Sequence, residues 1–215
     1  MEERTVAEDE ADERATHRLI MFSDGVVAIA ITLLAIDLPL PEGSTSGGLW
    51  TSAHSHEGLY AAFVVSFMVI AASWSSHREV FRYVERTDTL LSVSNNVWLF
   101  AIVLNPFATR LLTANSRGAL DVHALGFGFY ALLQLLAYAA LLVILRHTGS
   151  HELAPAAPAG SGVHAARTAY GIMLGFGLSI PLFFATRFAW VLWFVAPVLT
   201  SAFYRWRAGN DGASL

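Results

Sequence analysis

Long apolar runs alternate with short polar segments along the chain. Six of these runs predict membrane-length helices, over about residues 17–38, 59–76, 89–104, 122–145, 163–184 and 188–204. The first run is the most regular. From Arg18 it reads RLIMFSDGVVAIAITLLAIDLPLP, with Asp24 near its start and Asp37 near its end, before Pro39 and Pro41. The twelve residues between the two acids hold one polar side chain, Thr32. On a helix of about 3.6 residues per turn, Ile29, Leu33 and Ile36 form a narrow aliphatic stripe, and Asp24 lies about 140° round from Ile29. A membrane helix with an acid on one side and bulky aliphatics on another suggests two interior faces.

Composition turns this pattern into a fold class. The chain has 215 residues, of which 55% are hydrophobic and 14% charged, where a soluble domain carries about a quarter. The expectation is an all-α polytopic membrane protein of six transmembrane helices. The first run follows an acidic segment, contains Asp24 and leads into proline, so it reads as a retained helix and not a signal peptide. With no cysteine, disulfides, thiolate metal sites and thiol catalysis are excluded.

Seven of the 17 acids fall in the first 13 residues. Residues 1–16 are expected to be a solvated acidic tail in the cytoplasm. Residues 17–207 form the transmembrane domain, and 208–215 a second cytoplasmic tail. The segment between the first two helices reads as a Gly-, Ser- and Pro-rich loop. Its His54 and His56 make a His-x-His pair without an evident third ligand, so a solvated loop is the plainer reading than a metal site. Residues 146–162 read as a linker. Trp190, Trp193, Tyr204 and Trp206 suit membrane interfaces, and Pro181 and Pro197 interrupt the last two helices.

All 13 basic residues are arginine. With both termini on one side, that side holds Arg4, Arg14, Arg18, Arg78, Arg82, Arg86, Arg146, Arg167, Arg205 and Arg207, against Arg110, Arg117 and Arg187 on the other. The excess places both termini in the cytoplasm, and six spans satisfy that parity.

No catalytic constellation stands out: there is no HExxH, G-x-S-x-G or Walker loop. The informative polar residues are Arg18, Ser23 and Asp24 on the first helix, Trp74 and His77 on the second, and Asn95-Asn96 inside the third. A buried carboxylate needs a cation or several donors, which these residues can supply. A structural clamp on helix 1 is the bland reading. A clamp that moves in gating, or senses pH through His77, is the sharper one.

These residues carry a resemblance. Arg18-x-x-x-Phe22-Ser23-Asp24 resembles the signature that opens the first helix of the transmembrane protein 175 family of potassium channels. The likeness continues through GVVAIAITLLAIDLPLP, Trp74-x-x-His77-x-x-x-Phe81 and, more weakly, Asn96 and Pro106-Phe107. The resemblance implies six helices per repeat, with the first lining the ion pathway. It also implies a single-repeat, bacterial-type homotetramer in the cell membrane, permeable to potassium in preference to sodium. Ile29 falls at the narrowest apolar constriction, Leu33 and Ile36 on further rings, and Thr32 on the adjoining hydroxyl position. Arg18, Phe22, Ser23, Asp24, Trp74, His77 and Asn96 fall in a polar network that supports the helix. Val27 stands where the family often has a bulky aromatic. Neither a cofactor nor a nucleic-acid partner is expected; the partners are other copies of the chain and the bilayer.

Three other readings compete. A proton-permeable channel is one. A coupled transporter would need broken helices at the midplane, for which only Gly175, Gly177 and Pro181 offer anything. A non-conducting scaffold is the third.

Overall fold

The computed structural model describes residues 6–114, 120–150, 153–154, 157–158, 160–186 and 188–211. Arg4, Arg117 and Arg187, used above to orient the bundle, lie outside them, as do the side chains of Arg205, Trp206 and Arg207. The described residues are all-α: α1 (Val6–Ile36), α2 (Ser46–Ser55), α3 (Glu57–Phe81), α4 (Thr89–Val103), α5 (Asn105–Ala114), α6 (Leu120–Ser150), α7 (Ser161–Phe183) and α8 (Leu192–Asp211). A 3-10 turn, Ala189–Val191, precedes α8.

Among the described residues, four segments are long and apolar enough to cross a membrane: Glu10–Ile36, Glu57–Phe81, Thr89–Ala114 and Val122–Ser150. The third combines α4 and α5. Pro106 has no N–H to continue the ladder there, yet Leu104 N–H donates to Phe100 O (3.2 Å) and Ala108 N–H to Leu104 O (2.9 Å), so i to i−4 bonding runs on across the junction. The apolar helix Ala189–Tyr204 is shorter. The protein is a multi-pass membrane protein.

Several boundaries differ from the sequence expectation. α1 begins at Val6, so helix runs unbroken through much of the segment expected to be a solvated tail outside the first helix. The acidic segment lacks an apolar stripe, but Ala7, Glu8, Glu10, Ala11, Glu13, Arg14 and Ala15 are strong helix formers. Thr16 then fastens this extension by donating to Glu85 O at 3.1 Å. The loop between the first two spans contains α2, started by Thr45, whose hydroxyl accepts from Gly48 N–H at 3.1 Å. α6 continues to Ser150, into the expected linker.

α6 is the axis of the packing. Tyr130, Ala131, Ala137, Tyr138, Leu141 and Ile144 are fully buried along it, with α4 on one side and the α7–α8 hairpin on another. Gly171 and Gly175 let that hairpin close. A Cβ on Gly175 would meet Leu192 O at 2.6 Å, and one on Gly171 would meet Thr200 Oγ1 at 2.2 Å. Trp193 corrects an expectation: it is buried in the bundle and not at an interface. Its ring stacks on Tyr130 at 5.0 Å and Phe176 at 4.8 Å, and its indole donates to Ser179 Oγ at 2.9 Å.

Candidate functional site

α1 has one buried edge and one open face. Ser23, Val27, Ala30 and Leu34, at alternating four- and three-residue spacing, are buried against α3, α4 and α5. Val27 is a core residue in spite of its modest size. The opposite side carries Phe22 (61% exposed), Ile29 (60%), Leu33 (45%) and Ile36 (74%), together with Thr32. Ile29 to Ile36 is seven residues, about 10 Å of helix at 1.5 Å per residue. Thr32 spends its hydroxyl proton on Ile29 O at 2.8 Å, leaving its oxygen lone pairs outward.

Polar contacts behind this face hold α1 at a fixed rotation. Ser23 Oγ donates to Leu19 O (2.9 Å) and so accepts from Asn95 Nδ2 (3.0 Å). The Asn95 amide oxygen therefore faces His77, and its 2.9 Å contact makes Nε2 the protonated ring nitrogen. The His77 ring is sandwiched between Phe81 (4.3 Å) and Trp98 (4.0 Å), and the Trp98 indole donates to Ser73 Oγ (3.1 Å). One residue round the helix, Asp24 Oδ1 accepts from the Trp74 indole at 2.7 Å, and Arg78 lies 4.9 Å from that ring's centroid.

Of the residues assigned to this network from the sequence, Ser23, Asp24, Trp74 and His77 make these contacts. Asn96 does not: Asn95 occupies the buried position, while Asn96 is exposed on an outward face of α4. The reason is helical phase. Leu91, Asn95, Trp98 and Ile102 share the buried face of α4, and the next residue after Asn95 is turned about 100° away. Arg18 is exposed and makes no contact with this network among the described residues, and Phe22 lies on the open face.

A second polar layer escaped sequence reasoning. Thr109 Oγ1 lies 2.7 Å from Ser66 Oγ and 2.9 Å from Asn105 O, and Gln134 Nε2 donates to Asn105 Oδ1 at 2.7 Å. These residues come from α3, α5 and α6, one or two per helix. The only trace in the sequence was a lone Gln134 within an apolar run, since the partners are far apart along the chain. Beyond the C-terminal end of α1, Asp37 pairs with Arg110 at 3.4 Å, and Tyr60 donates to Pro39 O at 2.8 Å.

His54 and His56 line an outward-opening cavity of about 1050 Å³. His54 Nδ1 contacts Glu57 Oε2 (3.0 Å) and His56 Nδ1 contacts Ser52 O (2.9 Å). Among the described residues no group of three or more His, Asp or Glu side chains is placed to hold a metal ion.

Known proteins resemble this chain in sequence and in fold. A sequence model described as the endosomal/lysosomal potassium channel TMEM175 matches residues 18–106, the stretch from Arg18 of α1 through the polar network to Pro106. A potassium channel of Streptomyces collinus is 37% identical over 172 residues, covering 79% of this chain and 82% of the relative. One from Chamaesiphon minutus is 40% identical over 106 residues, covering 48% and 52% of the two chains. The solved structure of a lysosomal potassium-selective channel TMEM175 homologue from Chamaesiphon minutus superposes with a TM-score of 0.68 at 27% identity, over 89% of this chain and 97% of that one. The chain belongs to the TMEM175 family of potassium channels, a family of channels and not of enzymes.

Proposed function

We propose that this protein is a potassium-preferring passive cation channel in which α1 from each of four copies surrounds a central axis. The observation that carries the reading is the division of α1. One edge is held by buried contacts and the Ser23–Asn95–His77 chain, while Phe22, Ile29, Leu33 and Ile36 stand open on the other. Large aliphatics on a rigidly positioned membrane helix suit a pore ring. Four Ile29 side chains form the constriction, Leu33 and Ile36 continue it outward, and Thr32 offers hydroxyl oxygens beside it. Such a ring gates by dewetting, so an ion passes only when the ring widens enough to hydrate. Potassium holds its water less tightly than sodium, which favours its passage. In this reading α7 and the Ala189–Tyr204 segment are the fifth and sixth spans, both termini are cytoplasmic, and the membrane is the cell membrane.

The test is flux of potassium, sodium and protons through purified protein in liposomes, with Ile29→Asn in parallel. Replacing four isoleucines by amides wets the constriction, so conductance rises and discrimination between potassium and sodium falls. Unchanged flux and selectivity would remove Ile29 from the constriction. A proton flux that persists without potassium would establish the proton-permeable reading instead.

A further inference from the structure

Two guanidinium groups meet at one end of the α6–α7–α8 layer, and among the described residues no carboxylate pairs with either. Arg146, in the last turns of α6, donates from Nη2 to the hydroxyl of Tyr170 on α7. Arg167 precedes Tyr170 by three residues, and so shares its face of α7, and lies 4.6 Å from the ring centroid of Tyr204 on α8. Both arginines are exposed, and their contacts among the described residues are to neutral phenols. Two acids on neighbouring elements are engaged elsewhere: Glu79 pairs with Arg82 at 2.8 Å, and Asp88 with His147. A guanidinium carries five N–H donors, so most of the donors gathered here are free to take an acceptor from outside the chain.

This end of the layer lies at the level where α1 enters the bundle. His147, next to Arg146, contacts Asp88 at the start of α4, Glu85 N–H donates to Leu153 O at 3.0 Å, and Thr16 of α1 donates to Glu85 O at 3.1 Å. The two arginines and two tyrosines therefore stand at a membrane surface, where such side chains place charge and hydroxyl among headgroups. Towards mid-bilayer the same face becomes apolar. Tyr170, Leu174 (51% exposed) and Leu178 (56%) follow Arg167 along α7 at four-residue spacing, and Val143 (43%) lies three residues before Arg146 on α6. Tyr170 to Leu178 is about 12 Å of helix at 1.5 Å per residue. α1 packs on α3, α4 and α5, so in a ring built on α1 the α7–α8 hairpin stands at the periphery, against lipid.

We propose that Arg146 and Arg167 hold the phosphate of an anionic phospholipid whose acyl chain lies along Tyr170, Leu174 and Leu178. Three features select this occupant. Planar guanidinium forks match phosphate oxygens, two bonds at a time. Tyr170 accepts from Arg146 and keeps its own proton to donate to a phosphate or glycerol oxygen. The apolar track begins directly beneath the charged pair, so one molecule with an anionic head and a hydrocarbon tail satisfies both. A zwitterionic lipid brings a cation that two arginines repel, and a free anion leaves the track bare. The site is remote from α1 and does not depend on ion conduction.

The test is a titration of the purified full chain in a neutral detergent with phosphatidylglycerol, following the thermal unfolding midpoint by tryptophan fluorescence. The midpoint should rise at a lower lipid concentration than with phosphatidylcholine, and inorganic phosphate should leave it unmoved. Arg167→Gln should require about 5-fold more phosphatidylglycerol for the same rise, and Arg146→Gln with Arg167→Gln about 10- to 30-fold more. Arg110→Gln, beyond the other end of α1, should titrate like the parent. A second measurement leaves both arginines in place and so does not depend on the folding of those variants. The chain has no cysteine, so a bimane label on Leu174→Cys reports acyl chains at that position alone. In liposomes, brominated phosphatidylglycerol should quench it more than brominated phosphatidylcholine, whereas a label on Leu125→Cys, at the far end of α6, should not distinguish the two lipids. Equal quenching at Leu174→Cys by both lipids, or a double arginine variant that titrates like the parent, overturns the inference. Inorganic phosphate as effective as phosphatidylglycerol would make this a site for free anions and overturn the lipid assignment.

Discussion

Asn95→Leu isolates what the polar network contributes. The substitution keeps side-chain size, so the cavity term is small, but it removes two hydrogen bonds, to His77 Nε2 at 2.9 Å and Ser23 Oγ at 3.0 Å. Ser23 retains its bond to Leu19 O. His77 fares worse, because its Nδ1 has no hydrogen-bond partner among the described residues and the ring is fully buried between Phe81 and Trp98. Leaving Nε2–H unmatched costs about 1–3 kcal/mol, and the bond lost at Ser23 adds roughly 0.5–1.5 kcal/mol. The expected destabilisation is therefore about 1.5–4.5 kcal/mol. A reversible unfolding titration in mixed detergent, followed by tryptophan fluorescence, measures it. The control is His77→Phe combined with Asn95→Leu, which removes donor and acceptor together and should recover more than half of the loss. Asn95→Leu within about 0.5 kcal/mol of the parent would refute the reasoning. A double variant as poor as the sum of the two single ones would also refute it, since the damage would then come from packing.

Two further expectations follow from particular contacts. Gly175→Val places a Cβ 2.6 Å from Leu192 O, with backbone on both sides of the clash. It should separate α7 from α8 and cost about 2–4 kcal/mol, read by the same titration and by faster proteolysis of the α7–α8 connection. Asp37→Asn removes an ion pair with Arg110 whose side chains are 36% and 70% exposed. It should change stability by less than about 1 kcal/mol, with an effect that shrinks as salt rises; a loss of several kcal/mol would mean the pair is shielded from solvent.

The existence of the helices was legible because membrane burial imposes a length and a polarity that local sequence must meet. The legible part of the site was likewise local. Arg18 to Leu38 carries the signature, the aliphatic stripe and the acid in one segment, so helical phase alone separates Ile29, Leu33 and Ile36 from Asp24. The acidic extension of α1 was misread because apolar periodicity reports burial, whereas Ala- and Glu-rich segments form helix without being buried. Asn95 and Asn96 show the limit most directly. Two identical neighbours differ only in which side of α4 faces the bundle, and that is set by the packing of Leu91, Trp98 and Ile102 against other helices.

By itself, then, the sequence determined the all-α membrane class, the pore-helix candidate and the family, since each depends on residues close together along the chain. Only the tertiary structure decided that Asn95 and not Asn96 reaches His77, that Trp193 sits inside the bundle, and that Ser66, Asn105, Thr109 and Gln134 meet. Each of those pairings joins residues dozens of positions apart or chooses between adjacent faces of one helix. Interhelical packing selects among them, and no local pattern encodes that choice.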